Sequence, residues 1–347
     1  MYRIALVLIA RNESASIGRC LASVRPWVDD LLVLDTGSID GTVAAAQAVG
    51  ARVDHFVWVD DFAAARNRAL ALADADWNLV LDGDEWLRDG ADSIAALRQK
   101  APDFVGAIRV DSDFGAAGST ACASSWISRV LPRGVRYEGR IHEQPVHDMP
   151  VRRLAVHAGH DGYLPHALAA KRGRNAALLA LALRDAPDDG YLLYQSGKDH
   201  AVYERFAAAA DCFERAAAVL GEASPIAHDL LVRRLFALKR CGRHEVAVQL
   251  AESQRLRWDG SPDYWFTLGD LLLDWATTVP QRAGELLPMI EACWQRCRAL
   301  GERPDLEGAV HGRGSFLAAA NLVVLYEGTG RHAEAAAMRT WVGSEPL

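Results

Sequence analysis

Short apolar runs alternate with stretches of helical spacing along the first part of the chain. The apolar runs have the length of buried strands, and they lie at residues 3–10, 31–34, 53–58 and 77–81. The intervals carry apolar or alanine residues at helical spacing, and they lie at residues 16–24, 43–49 and 62–73. Strands that alternate with helices through short loops predict a mostly parallel sheet with right-handed crossovers, which is an α/β fold.

The pattern changes after about residue 165, where strand signals stop and Ala, Leu, Arg and Glu dominate. Alanines recur at corresponding places of successive helix pairs, at positions 209, 247, 292 and 335. Their steps of 38, 45 and 43 residues exceed the ideal tetratricopeptide repeat of ~34, which predicts insertions, notably around residues 277–286. We therefore expect an α/β domain at residues 1–165 and an all-α domain of tetratricopeptide-like repeats at residues 166–347. A plain helical bundle is the alternative for the second domain.

Three carboxylates crowd the end of the fourth apolar run. Asp82, Asp84 and Glu85 follow this run directly, and Gly83 between them permits a sharp backbone turn. In open α/β sheets, ligands bind outside the carboxyl ends of the strands. Carboxylates that repel one another in such a crevice are stabilised by a cation, and Mg²⁺ suits one or two carboxylates together with substrate phosphates. The alternative is a solvated acidic turn after a core strand.

Further hydrogen-bond acceptors follow the first two apolar runs. Asn12 and Glu13 come after the first run, and Asp35 ends the second. A ribose and a base offer hydroxyl and N–H donors, so several acceptors at neighbouring strand ends indicate a nucleoside site. Neither G-x-G-x-x-G nor G-x-x-x-x-G-K-[ST] occurs at the first turn, which argues against a dinucleotide-binding fold and a P-loop NTPase.

Length, charge and cysteine usage exclude other classes of protein. The 347 residues leave room for two domains, and 50% of them are hydrophobic, as in a globular protein. The net charge is −7 and no block of Lys or Arg stands out, which argues against a nucleic-acid partner. No apolar run approaches the ~18 residues of a membrane span. The six cysteines are scattered, which indicates reduced thiols in a cytoplasmic protein.

Four blocks of sequence resemble the family 2 glycosyltransferases, in the branch that carries tetratricopeptide repeats and includes bacterial peptide S-glycosyltransferases and lipopolysaccharide-core sugar transferases. The blocks occur in the family's order, as Leu8-Ile9-Ala10-Arg11-Asn12-Glu13, Asp35-Thr36-Gly37-Ser38-x-Asp40-Gly41-Thr42, Asp61-Phe62-x-x-x-Arg66-Asn67 and Asp82-Gly83-Asp84-Glu85-Trp86. The resemblance in sequence covers about the first 165 residues. The remaining residues resemble this branch only in their repeat architecture. It implies a GT-A fold, a nucleotide-sugar donor with UDP-sugar favoured, a divalent metal and inversion at the anomeric carbon.

The same resemblance implies roles for residues at the strand ends. Glu13 and Asp35 would contact the uridine-like nucleoside, Asp82 would lie near the ribose, and Asp84 would hold the metal on the diphosphate. Arg66 would stabilise the nucleotide, either at the base or at the diphosphate. The alternative is that Arg66 lies on the surface of a helix and has no contact with the nucleotide.

The resemblance also implies a histidine metal ligand late in the catalytic domain. His160-x-Gly162-Tyr163 is similar to the family's pattern, which favours His160 over His157. One His and one Asp, with the diphosphate and waters, would make an acceptable octahedral set for Mn²⁺ or Mg²⁺. The alternative for either histidine is a hydrogen-bonded loop residue.

Sugar transfer to a hydroxyl or thiol acceptor needs a base on the opposite face of the sugar. Residues 137–144 form a dense polar cluster beyond a predicted strand, and this cluster too resembles the same branch. Glu143 is the first choice for the base and Glu138 the second, although Glu138 could instead pair with Arg140 or Arg136. Arg140 would either steady the cluster or bind phosphate.

These observations predict a metal-dependent, inverting glycosyltransferase that acts on a peptide, protein or glycan acceptor. The repeats would dock the acceptor or a second copy of the chain as a homodimer. One alternative is a non-catalytic repeat scaffold built on a degenerate glycosyltransferase domain. A nucleotidyltransferase is a lesser alternative, because it would typically need a glycine-rich, basic phosphate loop after the first strand. Residues 11–14 are not such a loop.

Overall fold

A computed structural model describes residues 1–113, 122–160 and 173–342. The chain divides into two compact units, Met1–Asp185 and Ala186–Leu347. The domain boundary predicted at residue 165 lies outside the described residues and stays a prediction. None of the described helices combines the length and the apolar character required to cross a membrane.

The first unit contains an eight-stranded sheet in the order β3-β2-β1-β4-β7-β6-β10-β5 and a separate pair β8-β9. The described strands are β1 (Ile4–Ala10), β2 (Asp30–Asp35), β3 (Arg52–His55), β4 (Trp77–Val80), β5 (Glu85–Asp89), β6 (Val105–Asp113), β7 (Cys122–Pro132), β8 (Arg136–Glu138), β9 (Gln144–Val146) and β10 (Val151–His160). Strands β3, β2, β1 and β4 run parallel, and so do β6 and β10. Strand β7 is antiparallel to β4 and β6, and β5 is antiparallel to β10. The predicted mostly parallel α/β sheet is confirmed.

Helices cover both faces of this sheet, as the alternation of side chains along a strand requires. The described helices of the unit are α1 (Ile17–Val24), α2 (Thr42–Ala48), α3 (Phe62–Ala73), α4 (Ala91–Ala95) and α5 (Arg174–Asp185). Leu6 and Leu8 of β1 belong to the core cluster that includes the apolar side of α1, whereas Val7 belongs to the cluster on the side of α3. The fold is therefore layered, with a central sheet that holds its strand ends rigidly.

Helix α3 lies close to the sheet because its buried side is made of alanines. Ala65, Ala69 and Ala73 are fully or almost fully buried against β1 and β2. The helix begins after Asp61, whose side chain accepts a hydrogen bond of 2.8 Å from the backbone N–H of Ala64, as an N-cap residue does. It ends at Asp74, whose φ of 45° is left-handed. Arg66 and Asn67, on this helix, are thereby fixed relative to the strand ends.

The second unit is helical throughout its described elements. Its helices are α6 (Gly190–Val202), α7 (Phe206–Leu220), α8 (Ala227–Arg240), α9 (His244–Trp258), α10 (Pro262–Thr278), α11 (Ala283–Leu300), α12 (Phe316–Gly328) and α13 (His332–Val342). Consecutive helices pack in pairs, and a glycine permits close approach in two of them. A Cβ at Gly197 would lie 2.4 Å from the ring of Phe213, and one at Gly269 would lie 2.6 Å from the indole nitrogen of Trp294. The all-α class and the paired-helix arrangement are confirmed.

Several predicted details differ from the structure. Ala209, Ala247 and Ala335 are fully buried, but Ala292 is exposed and Cys293 is buried instead, because the longer helix α11 shifts the register of the third copy. Residues 277–286 hold only a short turn between α10 and α11, whereas the long connection lies at residues 301–315. The third strand stops at His55 instead of reaching residue 58.

Candidate active site

Polar side chains gather at the edge of the sheet where the parallel strands end. Strands β1, β2, β4, β6 and β10 run in the same direction, so their carboxyl ends meet at this edge, and β5 begins there. Asp82, Asp84 and Glu85 occupy the connection from β4 into β5. The alternative of a solvated acidic turn is wrong, because Asp84 is 9% exposed and Glu85 is 3% exposed.

Two arginines pair with carboxylates of this cluster. Arg129 of β7 donates from Nη2 to Asp82 Oδ2 at 2.7 Å and to Glu85 Oε1 at 2.6 Å. Arg66 of α3 donates from Nη2 to Asp82 Oδ1 at 2.5 Å and from Nε to Glu143 Oε1. Both arginines are buried, so the alternative that Arg66 lies on a helix surface is wrong. Asp82 is therefore held through both of its carboxylate oxygens.

Burial and the arginines have opposite effects on the pKa values of the cluster. Desolvation would raise the pKa of Asp82, but the guanidinium groups of Arg129 and Arg66 outweigh it and hold this pKa well below its usual range. Burial raises the pKa of Glu85, and the charge of Asp82 adds to this shift against the opposing effect of Arg129. Asp82 is thus kept ionised, whereas Glu85 takes up a proton more readily than an exposed glutamate.

Asp84 and His160 approach each other at this edge although they lie 76 positions apart along the chain. The distance from Asp84 Oδ2 to His160 Nε2 is 3.5 Å, and their side chains are only 12% and 16% exposed. The other ring nitrogen of His160, Nδ1, lies 3.1 Å from Ser112 Oγ. Gly162 and Tyr163, which carried part of the prediction for His160, lie outside the described residues. A carboxylate oxygen and an imidazole nitrogen that face each other can serve as neighbouring ligands of one divalent metal.

Glu13 lies beside the acidic turn. A Cβ at Gly83 would lie 3.1 Å from the Cγ of Glu13, so only glycine leaves the Glu13 side chain its present position without a shift. Ser16 donates a hydrogen bond of 2.9 Å to Glu13 Oε2, and Thr42 Oγ1 accepts one of 2.7 Å from the Glu13 backbone N–H. Glu13 therefore lies at the same edge as the carboxylates at the end of β4, and its contact with the nucleoside stays a prediction.

Asp35 ends β2 and organises the following loop. Its carboxylate accepts hydrogen bonds of 3.2 Å from the backbone N–H groups of Gly37 and Ser38. His55 Nδ1 lies 3.4 Å from Asp35 Oδ2. Burial opposes ionisation of Asp35, but hydrogen bonds from Ser38 and Gly37 dominate and lower its pKa. Asp35 is 4% exposed, which places it at the floor of this part of the edge.

The hairpin β8-β9 carries the residues predicted to include the base. Asn67 ties it to α3, because its side chain donates to the backbone oxygen of Tyr137 at 2.9 Å and accepts from the backbone N–H of Tyr137 at 2.8 Å. The side chain of Glu143 is 9% exposed and pairs with Arg66, whereas Glu138 is exposed. Arg140 Nε lies 3.9 Å from Asp185 Oδ2. The structure brings Glu143 to the carboxylate cluster and leaves Glu138 outside it.

Arg129 and Ser112 are residues of this site that the sequence did not single out. Arg129 is separated by 47 residues from Asp82, and Ser112 by 48 residues from His160. Both lie within strands, and their partners depend on how β6 and β7 pair with the rest of the sheet. The one signal in the sequence was an arginine inside an apolar strand, since a charged residue there requires a buried partner.

The first unit is similar to a known family of proteins. Residues 5–119 match the family model described as "Glycosyl transferase family 2". The first unit therefore contains a family 2 glycosyltransferase domain.

Three individual similarities illustrate the range of relatives. A TPR repeat-containing protein of Synechococcus elongatus is 54% identical over 87 residues, which are 25% of this chain and 22% of that protein. The glycosyltransferase SunS of Bacillus subtilis is 26% identical over 202 residues, which are 55% of this chain and 48% of that protein. The solved structure of glucosyl-3-phosphoglycerate synthase from Mycobacterium tuberculosis with Mn²⁺ and UDP is 28% identical, with a TM-score of 0.26 over 33% of this chain and 45% of that one. The chain thus spans less than half the length of each of these proteins.

Proposed function

We propose that the protein is a glycosyltransferase that moves a sugar from a nucleotide-sugar donor, with UDP-sugars favoured, to a peptide, protein or glycan acceptor. The family 2 domain supports the reaction class. The observation that carries the proposal is the 3.5 Å approach of Asp84 and His160 at the carboxyl edge of the sheet. The proposed outcome at the anomeric carbon is inversion, which requires a base on the face of the sugar opposite the diphosphate.

Asp84 and His160 would hold Mn²⁺ or Mg²⁺. Their two facing ligand atoms fit neighbouring positions of an octahedral ion. Within residues 1–113, 122–160 and 173–342, no group of three or more His, Cys, Asp or Glu side chains is arranged to hold a metal. This suits an ion that takes its other ligands from diphosphate oxygens and water. When bound, the ion would stabilise the negative charge that develops on the leaving diphosphate.

Glu13 and Asp35 would accept hydrogen bonds from the donor nucleoside. Asp82 would contact the ribose, and the two arginines would keep it ionised and oriented for that contact. Arg66 is buried between Asp82 and Glu143, so we propose that it acts on the nucleotide through these carboxylates. Arg140 is 41% exposed in its side chain and could bind phosphate.

Glu143 is the proposed base, with Glu138 as the second candidate. The pairing of Glu143 with Arg66 fixes its position close to the carboxylate cluster. The base role therefore requires the acceptor to compete with Arg66 for Glu143. Glu138 is exposed and has no such constraint, but it lies outside the cluster.

The second unit would recruit the acceptor or mediate a homodimer. The location of the protein in the cytoplasm stays a prediction. Helix pairs of this kind offer extended surfaces for a peptide or a protein. The thiols of Cys20, Cys212, Cys241, Cys293 and Cys297 are free, in keeping with a reducing compartment.

A thermal-shift screen of nucleotide sugars, with and without Mn²⁺, tests the proposed donor. A donor present at about 100 times its Kd should stabilise the protein by about 2.7 kcal/mol, which is a measurable rise in Tm. We expect a UDP-sugar to give the largest rise and to need Mn²⁺. A panel of UDP-, GDP- and CMP-sugars that leaves the Tm unchanged would contradict the proposal.

A further inference from the structure

The carboxyl end of β10 is held on both sides by neighbouring strands. His160 pairs with Glu85 of β5 on one side and with Ser112 of β6 on the other. The preceding residue, Gly159, lies under the ring of Trp86, where an added Cβ would come within 2.5 Å of the indole. The backbone of His160 is therefore fixed, and only the rotation of its side chain remains to be set.

Two contacts of the side chain involve its ring nitrogens. Ser112 Oγ lies 3.1 Å from Nδ1, and Asp84 Oδ2 lies 3.5 Å from Nε2. The two ring nitrogens therefore face different groups, a hydroxyl on one side and the proposed metal carboxylate on the other. The imidazole is 16% exposed in its side chain, so the surrounding protein limits other orientations.

We propose that Ser112 is a positioning residue for the metal site. When an ion is bound at Nε2, the imidazole proton lies on Nδ1, where the Ser112 hydroxyl oxygen accepts it and holds the ring with its Nε2 lone pair on the side of Asp84. A neutral imidazole can bind a metal only through its unprotonated nitrogen, so the hydrogen bond at Nδ1 decides which atom binds. This inference rests on the proposed function, because it assumes that Asp84 and His160 hold the ion.

The expected loss of metal affinity can be estimated from other metal sites in which a side chain orients a histidine ligand. Loss of a group that orients a metal-binding histidine typically costs about 10- to 100-fold in metal affinity. The variant Ser112→Ala should therefore bind Mn²⁺ about 10- to 100-fold more weakly than the unchanged protein. Ser112→Thr keeps the hydroxyl and should restore most of the affinity.

A matched control comes from the neighbouring strand. Ser124 of β7 is buried, and its hydroxyl donates to Asp111 at 2.6 Å and accepts from Arg109 at 3.2 Å. Ser124→Ala removes the same group from the same sheet without touching His160. It should leave the Mn²⁺ affinity unchanged, which separates a local effect at His160 from a general loosening of β6 and β7.

Two measurements on the full chain test the inference. Titration of free Mn²⁺ by electron paramagnetic resonance gives the affinity of each variant. Nitrogen NMR of ¹⁵N-histidine-labelled protein at about pH 8, with His160→Ala to identify the signal, gives the tautomer of His160 with and without Mg²⁺. Without metal we expect the proton on Nε2, which faces the Asp84 carboxylate, and with Mg²⁺ we expect it on Nδ1; in Ser112→Ala the change should need a higher Mg²⁺ concentration.

The outcomes separate this inference from the proposed function. Equal Mn²⁺ affinity in Ser112→Ala and the unchanged protein would overturn the role of Ser112 while leaving the metal site in place. An unchanged protein that does not bind Mn²⁺ would contradict the proposed metal site. In that case the metal-free spectrum still decides about Ser112, because its hydroxyl should donate to the unprotonated Nδ1, and Ser112→Ala should move the Nδ1 resonance. His160 ring-nitrogen resonances that are the same in Ser112→Ala, with and without Mg²⁺, would overturn the inference.

Discussion

Arg129 donates to Asp82 and to Glu85 from a side chain that is 9% exposed. Removal of one partner from a buried ion pair leaves an uncompensated charge, which typically costs about 3–5 kcal/mol. We therefore expect Arg129→Met to lower the free energy of unfolding by about that amount, as measured by chemical denaturation.

Arg133 offers a control just beyond the same strand. Its side chain is 52% exposed and pairs with Asp74, which is 70% exposed. An exposed pair contributes about 0–1 kcal/mol, so Arg133→Met should change the stability little. An equal loss in both variants would show that Arg129 has no special part in the cluster.

The base is tested by removal of the negative charge alone. Glu143→Gln should retain donor affinity and lower the transfer rate by at least about 100-fold, since general-base catalysis contributes about 10² to 10⁴. Glu138→Gln should cost less, because Glu138 lies outside the carboxylate cluster. Steady-state kinetics with the donor found by the screen would measure both. The reverse order would move the assignment to Glu138, and loss of donor binding in both would make the hairpin a structural element.

At the scale of residues, the sequence predicts groups that lie at strand ends and misses groups that lie within strands. Asp84 was predictable because it directly follows an apolar run and a strand end has few structural uses for carboxylates. Arg129 was not, because its partners lie 44 and 47 residues away. Their contact depends on the antiparallel insertion of β7 beside β4, which no local pattern specifies.

Among the helices of the second unit, Asp229 joins two neighbouring elements. It lies in the first turn of α8, is 4% exposed, and accepts hydrogen bonds from Tyr194 of α6 and from Arg233 of its own helix. Burial opposes its ionisation, but Arg233 and Lys198 dominate and lower its pKa below the usual value of 3.8. Because the pKa is lower in the folded state, this group stabilises the fold above its unfolded pKa, and the contribution disappears as the pH falls through the folded value.

We therefore expect stability to fall below about pH 4 partly through Asp229. Asp229→Asn should cost about 2 kcal/mol near neutral pH, and the difference from the unchanged protein should shrink as the pH falls toward about 3. Asp211→Asn is the control, since Asp211 is 71% exposed in its pair with Arg243. Urea unfolding at several pH values gives the comparison. A difference that stays constant with pH would contradict the assignment.

At the scale of elements, periodicity predicts the strands and helices that bury a continuous face. Helix α3 was predicted with its observed bounds, because its alanines recur on one side. Strand β5 was not predicted, since Glu85–Asp89 is largely polar and becomes a strand only by pairing with the end of β10. Ala292 was wrongly predicted as a repeat alanine for a related reason. The length of α11 determines which of its residues face the neighbouring helix, and the repeat pattern does not show that length.

At the scale of the whole molecule, the division into an α/β part and a helical part was predictable from the loss of strand signals. The matched family model ends at residue 119, within the first compact unit. The composition of the second unit, rich in alanine and without strand signals, indicates paired helices but contains no group that identifies an acceptor. The proposed donor and metal sites are therefore supported by specific side chains, whereas the proposed acceptor is supported only by the helical architecture of the second unit.

The most direct test of the central claim is Mn²⁺-dependent release of UDP from the donor found by the screen, compared between the unchanged protein and Asp84→Ala. We expect release by the unchanged protein to stop when the metal is chelated and to fall by at least about 100-fold in Asp84→Ala, with the melting transition retained. Asp148→Ala, which removes an exposed carboxylate from the same unit, should behave as the unchanged protein does. Undiminished release by Asp84→Ala, or release that does not depend on metal, would contradict the account.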